Sequence, residues 1–203
     1  MIHKHEPQGR VLNLALVLML LAVSMTPATS AMRVAAQDEA KAPPVVTNIK
    51  NFGKVDDNYY RGSQPSAIQM EQLRRLGIKT IIDLRKDKVE GAADWASRAG
   101  LQYFNISMTP SKAATEAQTD HFLSLVKDPA NWPVYVHCKG GRHRTGALTA
   151  VYRITHDGWT AEQAFDEMEK YDFNDGFFGG PSAQKKFVFN FYERHANRNG
   201  GNR

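Results

Sequence analysis

Cysteine is nearly absent from the chain: Cys138 is the one thiol among 203 residues. A single thiol excludes an internal disulfide and leaves an oxidised sulfur without a resolving partner. Long apolar runs are also missing. The one candidate, Val11 to Val23, is interrupted by Asn13 and falls short of the ~20 residues a membrane span needs. No cysteine follows that run, which excludes a bacterial-type lipoprotein anchor. No His, Asp and Glu cluster has metal-ligand spacing, so neither a metal nor any other cofactor is expected. Excess charge of one sign is absent as well. The chain carries +5; without residues 1–36, and so without Lys4, Arg10, Arg33 and Glu6, it holds 23 basic and 20 acidic residues, a net of +3. That balance, with no basic stripe interleaved with aromatics, argues against a nucleic-acid partner. There is no internal repeat.

What the chain does hold is the stretch His137-Cys138-Lys139-Gly140-Gly141-Arg142-His143-Arg144-Thr145-Gly146. The apolar run Pro133-Val134-Tyr135-Val136 precedes it, and a helical pattern from Ala147 to Tyr152 follows. A buried strand should therefore end at the cysteine, a glycine-bearing loop turn, and a helix begin at Arg144. Inward backbone N–H groups and the positive end of that helix make an anion cradle. The same field lowers the pKa of a thiol. The planar fork of Arg144 suits two oxygens of one phosphoryl group. A nucleophile and an oxyanion cradle in one loop suit phosphoryl transfer through a covalent thiophosphate.

This stretch resembles the signature of the cysteine-dependent protein tyrosine phosphatase superfamily. Its His-Cys-Lys-x-Gly-x-His-Arg-Thr-Gly form is most similar to the plant and fungal atypical dual-specificity phosphatases, several of which act on inositol pyrophosphates. The block Tyr60-Arg61-Gly62-Ser63-Gln64-Pro65 resembles the segment that opens the domain in bacterial relatives. The resemblance spans roughly residues 48–195. It implies that Cys138 is the nucleophile, that Arg144 binds the phosphoryl oxygens, and that Thr145 hydrogen-bonds the sulfur as it leaves. It also implies a phosphate cradle of Lys139, Gly140, Gly141, Arg142, His143 and Arg144, with His137 orienting the loop from behind. A core histidine bonded to backbone is the alternative for His137, and both readings can hold together. The implied partner is a phosphorylated protein or small molecule. Arsenate reduction, a related chemistry, needs further thiols that the chain lacks.

The chain organisation follows. His3, Lys4, His5 and Arg10, the apolar run, and the small residues from Ala28 to Ala36 read as a signal peptide over 1–36, and hence a secreted or periplasmic protein. An uncleaved membrane anchor is the alternative; after cleavage no membrane partner is expected. Residues 37–47 form a flexible leader, 48–195 the phosphatase-like domain, and the polar 196–203 a disordered tail. The oligomeric state stays open, a monomer being compatible with the sequence. Strands are expected around the turn at Asp56-Asp57-Asn58, at 78–84, 101–106 and before Cys138; helices follow the capping boxes at Ser66 and Thr160 and cover 90–99, 120–127 and the stretch after Ser182. This alternation predicts an α/β fold, a central mainly parallel sheet flanked by helices, with the site at the C-terminal ends of the strands. Arg61 reads as structural, bonding backbone carbonyls, with substrate contact as the alternative. Asp83 and Arg85 read as a scaffold salt bridge.

The family's relatives place a proton-donating aspartic acid after the strand that corresponds to Leu101–Ile106. Here Glu116 is the only carboxylate between Asp94 and Asp120. The candidates are Glu116, Asp120, Asp172 and Asp175. A general acid is worth about 10²–10⁴-fold and matters most for poor leaving groups. Its absence favours aryl phosphates or pyrophosphates over phosphoserine and phosphothreonine, and the charges of Lys139, Arg142 and His143 suit polyanions. Two other classes compete with an enzyme: a pseudophosphatase that holds a phosphorylated partner, and a rhodanese-like sulfurtransferase. The Arg144-Thr145 close disfavours the latter.

Overall fold

The computed structural model of the chain describes residues 48–174 and 182–200. The segments read as signal peptide and leader, 1–36 and 37–47, lie outside the described residues. Five strands form one sheet: β1 (Gly53–Lys54), β2 (Tyr59–Ser63), β3 (Thr80–Arg85), β4 (Gln102–Met108) and β5 (Val134–Cys138). Their order is β1-β2-β5-β3-β4. β1 is antiparallel to β2, and every other neighbouring pair is parallel. The sheet is thus mainly parallel, as its β-branched runs and alternating helices predict. β5 occupies the centre and ends at Cys138.

The alternation of side chains along the strands fills two cores. Ile81 and Tyr135 face Met70, Leu73, Ala96 and Ala99 on one side of the sheet. These belong to α1 (Ala67–Arg75) and α2 (Ala92–Arg98), or cap the latter. Ile82, Leu84, Val134 and Val136 face the other way. There they meet α3 (Glu116–Lys127), α4 (His143–Tyr152), α5 (Ala161–Lys170) and α6 (Ala183–Gly200), through residues such as Phe122, Leu148, Phe165 and Val188. Each such fully buried aliphatic side chain contributes roughly 1.5–3 kcal/mol. An Ile82→Ala change, leaving a cavity beside β5, should cost about 2–5 kcal/mol.

Local chemistry sets the helix ends. Ser66 and Gln69, Thr115 and Gln118, and Thr160 and Gln163 each form a reciprocal capping box. The box at Thr115 starts α3 one turn before the Asp120 that apolar spacing alone suggested, and Gln118 Nε2 also donates to Ser107 O at 2.8 Å. β4 runs two residues beyond Ile106, to Met108. At its far end α4 passes into a π-turn, Arg153–Asp157, and stops at Gly158 with φ 70°. Arg153 binds Asp157 and Glu167, both at 2.7 Å, and lies over the Trp159 ring. One expectation needs correction: α6 continues to Gly200, so residues 196–200 are helical rather than a disordered tail. The Phe191–His195 stack and the 3.6 Å pair of Arg198 with Glu116 hold that last turn.

Candidate active site

β5 is buried along its whole length, so its C-terminal end delivers Cys138 to the floor of a site bordered by the loops after β2 and β3. The chain turns through Lys139–Arg142 into α4, whose first turn carries Arg144 and Thr145. Gly141 makes the turn possible. Its φ is 69°, and a Cβ there would sit 2.5 Å from Gly62 C and 2.7 Å from Ser63 N, so no larger residue fits against the end of β2.

Burial alone would push the Cys138 thiol up. The Thr145 hydroxyl and N–H, the Arg144 charge and the Gly141 N–H outweigh it and hold the thiol below its usual value. Thr145 Oγ1 is fully buried with no conventional hydrogen-bond partner. The Cys138 sulfur is the group that this hydroxyl bears on. Arg144 Nη1 donates to Met108 O at 3.0 Å and lies 3.5 Å from Asp87 Oδ1. Its Nε and Nη2 have no protein partner among the described residues, so two donors of the fork are open to an oxyanion.

The loop is held from behind by a segment some 80 residues earlier. Gln64 N donates to Lys139 O at 3.4 Å, Asn51 Nδ2 to Gly140 O at 2.8 Å, and Arg61 Nη2 to Gly141 O at 2.7 Å. In a trans peptide the carbonyl and the next N–H point opposite ways. Three carbonyls turned outward therefore turn the N–H groups of Gly140, Gly141 and Arg142 inward. Asn51, with φ 54°, was not singled out from sequence, and nothing in its immediate neighbours marks it.

His137 is buried, its Nδ1 3.3 Å from Cys138 O and 3.9 Å from Asp83 Oδ1. Burial lowers its pKa, so it is a neutral support behind the loop. Asp83 forms no salt bridge with the Arg85 side chain. It accepts from Arg85 N at 2.9 Å and from Tyr103 Oη at 2.8 Å; the pairing with β4 shifts register between Asp83 and Arg85, and the Arg85 side chain turns toward Asp87 at 3.9 Å. His143 Nε2 lies 3.3 Å from Asn174 O, and its ring packs edge-on against Phe173. Burial lowers its pKa too, which disfavours a full charge on the ring. Lys139 is exposed and Arg142 half-buried at the rim.

The acid candidates fall elsewhere. Glu116 pairs with Arg198, and both Glu116 and Asp120 line a cavity of about 490 Å³ between α3 and α6, whose lining does not include Cys138. Asp172 pairs with Lys50 at 3.6 Å, and Asp175 lies outside the described residues. The carboxylate brought to Arg144 is instead Asp87, in the loop after β3. A bond from its own backbone N–H holds its carboxyl below the usual range; slight burial acts against this, and the charges of Arg85 and Arg144 add to it. Among the described residues no cluster of three His, Cys, Asp or Glu is placed to hold a metal ion.

A family model described as a DSP-PTPase phosphatase fused to NAD+ kinase matches residues 40–188, nearly three quarters of the chain. The chain belongs to this phosphatase family. It is 28% identical over 147 residues to the dual specificity protein phosphatase TpbA of Pseudomonas aeruginosa, covering 72% of this chain and 64% of that protein. It is 30% identical over 126 residues to the inositol diphosphatase DSP4 of Arabidopsis thaliana, covering 60% of this chain and 63% of that protein. The chain thus spans just under two thirds of either relative's length. The core catalytic domain of the PP-IP phosphatase SIW14 from S. cerevisiae shares the fold, with a TM-score of 0.61 at 24% identity over 75% of this chain and 94% of that one.

Proposed function

We propose that this phosphatase hydrolyses phosphate esters or anhydrides that have good leaving groups, by covalent catalysis at Cys138. The observation that carries the reading is a buried thiol held low by Thr145, Arg144 and Gly141, beneath an arginine fork with two free donors. The thiolate attacks phosphorus, and the P–O bond to the leaving group breaks with its electron pair on the departing oxygen. The inward N–H groups and Arg144 hold the three remaining oxygens, a kind of contact worth about 10²–10³-fold per donor. Water then attacks phosphorus, the S–P bond breaks, and Thr145 stabilises the returning thiolate while inorganic phosphate departs.

The leaving group follows from the carboxylates. Among the described residues Asp87, nearest to Arg144, has its carboxyl held toward the ionised form, Glu116 and Asp172 are paired elsewhere, and Asp120 lines the cavity between α3 and α6. Unassisted departure favours a phenolate, whose parent pKa is about 10, or a phosphate released from an anhydride, over a serine alkoxide. Phosphotyrosine and inositol pyrophosphates are the two matching substrate classes. TpbA, which has been solved with phosphotyrosine, and the inositol diphosphatase DSP4 lend support to one each. Export is part of the proposal and rests on residues 3–36; fractionation of cells making the full chain tests it.

The test of the chemistry is vanadate-sensitive hydrolysis of p-nitrophenyl phosphate that disappears in Cys138→Ser. A panel of phosphotyrosine peptides, phosphoserine peptides and inositol pyrophosphates, ranked by kcat/KM, then tests the leaving-group argument: phosphoserine should rank last. Binding of phosphopeptide with no turnover would make the chain a holding module. Thiocyanate formation from thiosulfate would make it a sulfurtransferase.

A further inference from the structure

Arg61 is the largest fully buried side chain of the described residues, and it is a cation. It stands on β2 opposite Val136 of β5, one strand away from the nucleophile's own. Nη2 donates to Gly141 O at 2.7 Å, and the guanidinium carbon lies 3.9 Å from the centre of the Tyr171 ring. Nε and Nη1 are buried with no hydrogen-bond partner, and no carboxylate forms an ion pair with this residue among the described residues. Guanidinium keeps its proton inside proteins, so the charge is present although burial opposes it. A buried charge is normally retained only with a counter-charge.

The groups that face Arg61 narrow the choice of counter-charge. Tyr59, Glu167, Tyr171 and Cys138 are those whose charge bears on it. Burial pushes the Tyr59 hydroxyl's pKa up, so it stays neutral, and Tyr171 offers Arg61 its ring face. Glu167 is already taken by Arg153 in a two-oxygen bond at 2.7–3.3 Å. The sulfur of Cys138 is the remaining anion. Around that sulfur, Thr145, Arg144 and Gly141 approach from the loop and α4, and Tyr135 and His137 from β5.

We propose that Arg61 is a positioning residue for phosphoryl transfer, holding the Gly141 carbonyl outward while its carboxylate-free charge serves as the rear counter-ion of the Cys138 sulfur. This rests on the reading of Cys138 as nucleophile, and it adds a second cation to the one that closes the loop. Arg144 approaches from the side open to substrate and changes partners when an oxyanion arrives. Arg61 lies on the closed side and keeps its partners through the cycle. Gly141, which has no room for a Cβ against the end of β2, also carries the carbonyl that Arg61 grips.

The experiment uses the single cysteine. The pH dependence of Cys138 alkylation by iodoacetamide is measured in the wild-type chain, Arg61→Lys and Arg61→Gln, alongside kcat and KM for p-nitrophenyl phosphate. In Arg61→Gln the alkylation midpoint should rise by about one pH unit or more, and kcat should fall roughly tenfold or more. Arg61→Lys keeps a charge but loses the fork, so its midpoint should return toward the wild-type value with kcat between the other two. A wild-type midpoint in Arg61→Gln, with only the melting temperature lowered, overturns the proposal. So does a Lys variant no closer to wild type than the Gln variant. Should Arg61→Gln not fold, the Lys variant decides alone: a wild-type kcat there overturns the proposal, and a lowered kcat at unchanged KM supports it. Alkylation needs no substrate, so failure of the phosphatase reading would leave this test intact.

Discussion

Asp87 Oδ1 lies 3.5 Å from Nη1 of Arg144, so the guanidinium that closes the loop is ion-paired before any phosphate arrives. The same Nη1 is anchored on Met108 O at the end of β4. Strand order produces the meeting: β3 and β4 lie side by side next to β5, and the loop after β3 overhangs the phosphate loop.

Removing that carboxylate distinguishes a partner of Arg144 from a proton donor. Asp87→Asn should change kcat for p-nitrophenyl phosphate by no more than about fivefold, the scale of an exposed ion pair. KM should fall, because a charge that repels the substrate is lost. A decline in kcat of about 10²-fold or more, with loss of the basic limb of the pH profile, would reassign Asp87 as the general acid.

Thr145 should matter through the sulfur. In Thr145→Val the alkylation midpoint of Cys138 should climb toward the ordinary thiol value of about 8.5, whereas Thr145→Ser should keep it low. Breakdown of the phosphorylated enzyme should slow in the Val variant, seen as a larger burst with a slower steady state. Equal midpoints in the two variants would count against the hydroxyl.

The depressed thiol pKa also enters stability. The unfolded chain binds the Cys138 proton more tightly than the folded one, so stability contributed by the ionised sulfur is fully present above about pH 8.5 and is lost as pH falls through the folded value. The unfolding free energy of wild type minus that of Cys138→Ser should therefore rise from about pH 5 to about pH 9. A difference that stays flat across that range would contradict an ionised sulfur in the folded state.

Arg153 offers a structural control away from the chemistry. It joins the π-turn after α4 to α5 through the half-buried Glu167 and the more exposed Asp157, and covers Trp159. Asp157 and Glu167 raise its pKa further against the opposing effect of burial. Arg153→Met should cost about 2 kcal/mol of stability in urea unfolding, with the alkylation midpoint of Cys138 unmoved.

Much of this was legible in sequence, for identifiable reasons. Capping boxes and strand runs use neighbouring residues, so Ser66–Gln69, Thr160–Gln163 and Ile81–Leu84 announced their elements. The strand–loop–helix from Cys138 to Thr145 was legible because the cysteine, the glycines and the arginine are contiguous. What escaped was decided by strand order. Asp87 is 57 positions from Arg144 and reaches it only because β3 borders β5. Arg61 bonds a backbone carbonyl as its sequence context suggested, but that the carbonyl is Gly141's, and that Asn51 reaches Gly140, follows from β2 pairing with β5, a neighbour relation that periodicity does not encode. The supposed Asp83–Arg85 bridge failed for a local reason: the aspartate's oxygens were taken by Arg85's own N–H and by Tyr103 from the adjacent strand.

The brace on the phosphate loop also sets where this enzyme can be divided. The proposed nucleophile, the arginine fork and the helix all lie within Val134–Tyr152, so a fragment beginning at α1 would carry every atom the proposal gives a reactive role. It would lack Asn51, Arg61 and Gln64, the donors that orient three successive peptide planes of the cradle. A circular permutant that reopens the chain between β2 and α1 keeps both pieces and should remain active. The shortened fragment should bind neither vanadate nor substrate.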